Sequence, residues 1–196
     1  MRNIAVLVLA AGKSSRMKSI KQLEKIDNKT LLDITLEKAK QLFSKAVFCV
    51  LGANSEIIKK NITTQDITFI NNKNFETGLS SSIVAGLHHF KKEQLNFDGI
   101  LMLLADQPAI GVSYLRDMLH LFELNNDKII ASKYDTILGV PAIFPKNSFQ
   151  ELENLQGDKG AKAFLNEASN IVISPKEKTN LLDIDTKEQL KLFINS

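Results

Sequence analysis

"NIAVLVLAAGKSSRMKSIKQL", residues 3 to 23, decides the fold. From Ile4 to Leu9 it is an uninterrupted apolar run, the pattern of a strand buried on both faces, as in a parallel sheet covered by helices. Ala10, Ala11 and Gly12 follow, and then Ser14, Ser15 and four basic residues before Leu23. A buried strand that empties into small residues and positive charge delivers cations to the carboxyl end of a sheet strand, where α/β proteins hold their ligands.

Outward from this stretch the chain alternates. "TLLDITLEKAKQLF" (30–43) places Leu31, Leu32, Ile34, Thr35, Leu36, Ala39 and Leu42 with helical spacing, and "AVFCVLG" (46–52) returns to strand, completing a β-α-β unit. The spacing further predicts a short helix in "SEIIKKNI" (55–62), a strand in "DITFINN" (66–72) and a helix in "TGLSSSIVAGLHHFKK" (77–92) capped by Thr77. A doubly buried strand in "GILMLLADQP" (99–108) follows, and then a helix in "VSYLRDMLHLFELN" (112–125). After residue 128, "KIIASKY" and "GVPAIFP" read as two strands joined by a short segment containing Gly139, an antiparallel excursion. Short helices are expected in "KNSFQELENL", "KGAKAFLNEA" and "TKEQLKLFIN", with a strand in "NIVISP" before the last. The expected fold is α/β, a mostly parallel sheet with helices on both faces and a small antiparallel excursion. At 196 residues, without repeats or linkers, residues 1–196 are read as one domain.

Composition excludes several functions. A net charge of +3 gives no argument for a nucleic-acid partner. No apolar run is long enough for a membrane span and none ends in a cleavage-site pattern, so a cytoplasmic protein is expected. Cys49, the single cysteine, lies in an apolar run and reads as a core residue. The three histidines do not have zinc-ligand spacing. Walker, dinucleotide-binding and hydrolase-elbow patterns are all absent, and Ser80 is no nucleophile because Ser82 stands where the elbow needs glycine.

What remains is a charge pattern. Between Lys13 and Lys25 there are five basic residues and one acid, Glu24. Arg16 offers a planar fork to phosphate oxygens and Lys21 a mobile point charge, while Ala10, Ala11 and Gly12 allow backbone N–H groups to approach an anion. A solvated surface loop is the equal alternative on these residues alone. Asp106 closes the apolar "ILMLLA" and puts a carboxylate at the mouth of a second strand, suited to Mg²⁺ held together with substrate phosphates. Ser80 to Ser82, in the first turn of their helix, offer hydroxyls and N–H groups to ribose, base or phosphate.

The motifs "LAAGKSSRM" with Lys21, "GLSSSIVAGL", "LLADQP", "GVPAIFP", "GDKGAKAFL" and "DIDTKEQL" occur in this order from Ile4 to about Leu190. In this the chain resembles the molybdenum cofactor cytidylyltransferase family, within the wider group of nucleotidyltransferases with a Rossmann-like, three-layer α/β/α fold. The resemblance implies Mg-dependent transfer of CMP from CTP to the terminal phosphate of a molybdopterin-type cofactor, with release of pyrophosphate. It implies Arg16, Lys21 and Asp106 as catalytic residues. Leu9, Ala10, Ala11, Gly12, Arg16, Lys21, Ser80, Ser81 and Asp106 would meet the nucleotide, with Asp106 and Asp185 on the metal and Asp183 competing for the second place. Ala11 matches the cytidylyl branch, where the guanylyl branch resembles "LAGG". The partners implied are CTP, the pterin acceptor and, transiently, a molybdenum hydroxylase or its maturation factor. Two other readings stand beside it: transfer to a sugar or alcohol phosphate, and a non-catalytic pterin carrier. The chain departs from the family at Lys18, where glycine is usual, and at Glu24 or Lys25, where proline is common.

Overall fold

The computed structural model describes residues 2–43, 45–167, 172–177 and 179–195. Strand β1 (Ile4–Leu9) is buried at all six positions. It pairs in parallel with β4 (Val47–Leu51) on one side and β6 (Gly99–Leu104) on the other. Between β1 and β4 come a two-residue hairpin, β2 (Lys25–Ile26) and β3 (Lys29–Thr30), and helix α1 (Leu31–Leu42). The Thr30 hydroxyl caps α1 by accepting from the Asp33 N–H at 3.0 Å. Helix α2 (Ser55–Asn61) leads to β5 (Thr68–Asn71), which adds in parallel to β4.

Helix α3 (Leu79–Lys92) precedes β6, and α4 (Val112–Leu124) follows it. Strands β7 (Ile129–Tyr134) and β8 (Ile137–Pro145) form the expected antiparallel excursion, with β8 antiparallel to β6 as well. Its turn falls at Asp135, with φ +51°, so Gly139 lies inside β8 rather than in the connection. Helices α5 (Phe149–Glu153) and α6 (Ala161–Glu167), the short strand β9 (Val172–Ile173) and helix α7 (Lys187–Ile194) complete the chain. The start of the expected "NIVISP" strand, at 170 and 171, lies outside the described residues.

The sheet order is β5-β4-β1-β6-β8-β7-β9. Because β1 points alternate side chains to opposite faces, two cores result. Val6 and Val8 pack with Leu36 of α1 and Met118 and Phe122 of α4. Ala5 and Leu7 pack on the other face with Ile83 and Phe90 of α3 and Leu165 of α6. This is the α/β, three-layer, mostly parallel arrangement expected from the sequence. The direction of strand addition reverses between β1 and β6, and in an open α/β sheet that reversal opens a crevice beyond the carboxyl ends. Leu9 lies opposite Leu104 in register, so the loops after the two strands leave the sheet side by side. Among the described residues, no helix is long and apolar enough to cross a membrane.

Candidate active site

At this reversal point lies a cleft of about 260 Å³, lined by Leu9 to Gly12, Ser14 to Arg16, Lys21 and Gln22 from the first loop and by Leu104 to Asp106 from the second. Asp185 and Leu79 complete it. The basic loop is held in shape by a residue that charge counting passes over. Gln22 is buried, and its amide donates to the carbonyls of Ala10 at 2.7 Å and Gly12 at 3.1 Å. Its oxygen accepts from the Ser14 hydroxyl at 3.2 Å, and that hydroxyl accepts the Lys21 N–H at 3.2 Å. Met17, also buried, joins Leu31, Ile184 and Leu190 in a small cluster that ties the loop to the C-terminal segment.

That segment carries the second carboxylate. The Ile184 N–H donates to the Asp106 carbonyl at 2.9 Å, and a capping box between Thr186 and Gln189 starts α7 directly after Asp185. Lys21, on the first loop, then meets both acids: its ammonium stands 2.5 Å from Asp106 Oδ2 and 2.9 Å from Asp185 Oδ1. Arg16 Nη2 takes the other Asp185 oxygen at 2.9 Å, its own side chain remaining 70% exposed. Two cations therefore balance two carboxylates. Burial pulls the Lys21 pKa down, but Asp106 and then Asp185 outweigh it, and the net direction is up. For Asp185 burial pushes up, and Lys21 and Arg16 reverse it to a net lowering.

Asp106 keeps one oxygen in reserve. Its Oδ1 is buried and has no hydrogen-bond partner among the described residues. An acceptor in that condition is costly unless a ligand supplies a positive partner. Among the described residues no three His, Cys, Asp or Glu side chains gather as a metal site. Two carboxylates from the described residues, with phosphate oxygens and water in the remaining positions, would suit Mg²⁺, which is usually held in that manner.

Asp183, the rival of Asp185, points elsewhere. It accepts from Gln107 Nε2 at 2.8 Å, and the same amide donates to the Tyr134 hydroxyl at 2.6 Å. Burial, with the Asp106 charge second, raises the Asp183 pKa. Asp183 lines a neighbouring cavity of about 340 Å³ that shares Leu9, Leu79 and Leu104 with the first cleft. Lys38 of α1 donates to the Pro108 carbonyl at 2.5 Å, two residues beyond Asp106.

Ser80 and Ser81 fall outside the cleft lining. Gly78, with φ +109°, stands at the helix N-terminus in place of the expected Thr77, whose hydroxyl instead donates to the Asn74 carbonyl at 2.8 Å. Ser80 is turned into the interior, 1% exposed, with its hydroxyl unpartnered among the described residues. Ser81 donates to the Gly78 carbonyl at 2.7 Å and accepts from Asn72 at 2.8 Å, facing a different groove. Of the first loop's N–H groups, that of Ala10 is already spent on the Val50 carbonyl at 2.9 Å. Lys13 pairs with Glu76 at 2.5 Å outside the cleft, so Arg16 and Lys21 are the loop's two cations that line it.

A model described as the MobA-like NTP transferase domain matches residues 6–172. The chain belongs to this family. It therefore carries a nucleotidyltransferase domain. Over 117 residues it is 31% identical to the purine catabolism protein PucB of Bacillus subtilis (strain 168), covering 58% of this chain and 55% of that protein. Over 188 residues it is 23% identical to the molybdenum cofactor cytidylyltransferase of Escherichia coli (strain K12), covering 96% of this chain and 94% of that protein. The chain spans about half or less of the length of the first curated relatives it matches. Its fold is shared with Rv0371C of Mycobacterium tuberculosis H37Rv, solved as a complex with manganese. That match has a TM-score of 0.79 and 24% identity, and it covers 100% of this chain and 99% of the other.

Proposed function

We propose that the protein transfers CMP from CTP to the terminal phosphate of a molybdopterin-type acceptor and releases pyrophosphate. The observation that carries this reading is the Lys21 ammonium shared by Asp106 and Asp185 at the reversal point of the sheet, beside Arg16. Those four groups comprise what a triphosphate and a divalent cation need: two positive charges and two carboxylates. The near-full-length likeness to the E. coli molybdenum cofactor cytidylyltransferase supports the choice of acceptor, and Ala11 in "LAAG" supports CTP.

An oxygen of the acceptor phosphate attacks the α-phosphorus of CTP. A new P–O bond forms as the bond from that phosphorus to its bridging oxygen breaks, and the electron pair leaves with pyrophosphate. The attacking oxygen is already ionised, so no general base is required, and the chain's work is positioning and charge neutralisation. Arg16 and Lys21 draw the triphosphate into the 260 Å³ cleft and offset its charge, while Gln22 keeps the loop that bears them in one shape. Mg²⁺ held by Asp106 and Asp185 would supply Lewis-acid neutralisation of phosphate oxygens. The adjoining cavity, with Leu138 and Val140 as apolar wall and Lys159, Lys162 and Asp183 as polar groups, receives the acceptor's ring system.

The test is to offer CTP, GTP, ATP and UTP in turn, with Mg²⁺ and molybdopterin, and to follow pyrophosphate. CTP is expected to be used best. Preference for GTP overturns the weight placed on Ala11, and efficient turnover of a sugar phosphate in place of molybdopterin overturns the acceptor.

A further inference from the structure

We infer that Lys21 and Arg16 act in the empty protein as stand-ins for the metal, occupying Asp106 and Asp185 until a metal-bound triphosphate exchanges partners with them. The inference rests on the reading that these two carboxylates hold the cation. Four observations carry it. One ammonium lies within hydrogen-bond distance of both acids, which come from segments 79 positions apart (185 − 106), so the cation already sits between the two groups a metal would join. The remaining oxygens differ: Asp106 Oδ1 has no partner among the described residues, and Asp185 Oδ2 is taken by Arg16, the second of the two cations.

Charge favours this arrangement as well. Removing both cations would leave two carboxylates, each no more than a quarter exposed at 17% and 25%, without positive partners, which is strongly unfavourable for partly buried charge. Finally, the loop backbone is held while a side chain is free to turn. The Lys21 backbone is fixed by the Ser14 hydroxyl and the Gln22 latch, whereas the Arg16 side chain extends into solvent. Only side chains have to turn, from carboxylate to phosphate, on the fast time scale of rotamer changes.

Two consequences follow. A divalent ion arriving alone must displace an ammonium and leave it unpaired, so it binds weakly. A triphosphate arriving without metal must draw Lys21 and Arg16 off the acids and strand them, so it binds weakly too. Together they satisfy all four groups, and each strengthens the other's binding by the same factor.

The experiment measures Mn²⁺ binding to the full chain by electron paramagnetic resonance, with no nucleotide present. Lys21→Met is expected to bind Mn²⁺ about tenfold more tightly than wild type, because the competing charged hydrogen bonds are gone. CTP is expected to tighten Mn²⁺ binding to wild type and to do so less for Lys21→Met. Arg16→Met, at an exposed side chain that the fold does not need, is expected to shift Mn²⁺ affinity in the same direction by less, and carries the test if Lys21→Met does not fold. Unchanged or weaker Mn²⁺ binding by both variants, with binding still abolished by Asp106→Asn, overturns the stand-in role alone. Mn²⁺ binding indifferent to Asp106→Asn and Asp185→Asn overturns the metal reading beneath it as well.

Discussion

Lys18 stands where the family resemblance leads one to expect glycine, and its backbone shows how the loop does without it. The residue takes φ +55°, the left-handed conformation that glycine adopts freely, and its side chain is exposed and absent from the cleft lining. The loop thus makes a left-handed turn with a lysine and bears the cost, about 1 kcal/mol for an L-residue in that region. Lys18→Gly is therefore expected to raise stability by up to about 1 kcal/mol in denaturant unfolding without altering turnover. Gly12 is the opposite case. A methyl group built there meets nothing within 4 Å, so the fold itself does not require glycine at this position. Gly12→Ala is expected to melt as wild type does and to lose about 10- to 100-fold in kcat/KM for the nucleotide, as a displaced triphosphate reacts from a poorer geometry.

The elements were legible where hydrophobic pattern dictates them. Strands β1 and β6 announce themselves as apolar runs because both faces are covered, and α1, α3 and α4 by helical spacing with one buried face. Less legible was the rotation of a helix about its axis. Ser80 and Ser81 are adjacent polar residues in a first turn, yet one is directed inward and the other toward a separate groove, because Ile83 and Leu87 fix which side of α3 meets the sheet.

Asp33, in the first turn of α1, shows an element pinned electrostatically. Burial raises its pKa, but the Thr64 hydroxyl and N–H, Thr30 and the Thr63 N–H all donate to its carboxylate, and the net direction is down. A folded pKa below the unfolded one means the stabilisation is complete above the unfolded value near about pH 4 and is lost as pH falls through the folded one. Asp33→Asn is expected to cost about 1.5–3 kcal/mol at pH 7. The gap from wild type should close as urea unfolding is repeated at successively lower pH.

At the scale of the whole molecule the candidate site is built by segments far apart in sequence. Lys21 and Asp185 are separated by 164 positions, and no spacing rule joins them. The approach depends on Met17 and Ile184 sharing a cluster and on the Ile184 N–H bonding to the Asp106 carbonyl. Only family likeness points to Asp185, while Gln22 and Met17, an uncharged polar and an apolar residue within a basic loop, are passed over when charge alone is read. The same architecture sets two cavities against one wall of Leu9, Leu79 and Leu104, and under the proposed function the first would take the nucleotide and the second the acceptor. Lys162→Glu, at the rim of the second cavity, is expected to raise KM for the acceptor about tenfold. KM for CTP should stay within twofold. Equal effects on both substrates in steady-state kinetics would contradict that division.

Under the proposed function the α-phosphate of the nucleotide passes to an acceptor in the cleft framed by Lys21, Asp106 and Asp185. CTP labelled at the α-phosphorus, incubated with the protein, Mg²⁺ and molybdopterin, tests it most directly. The label is expected on the pterin product with one pyrophosphate released per label transferred, and neither should form with Asp106→Ala that retains the wild-type melting profile. Label that stays on CTP, emerges as free CMP, or transfers undiminished with Asp106→Ala would contradict the account.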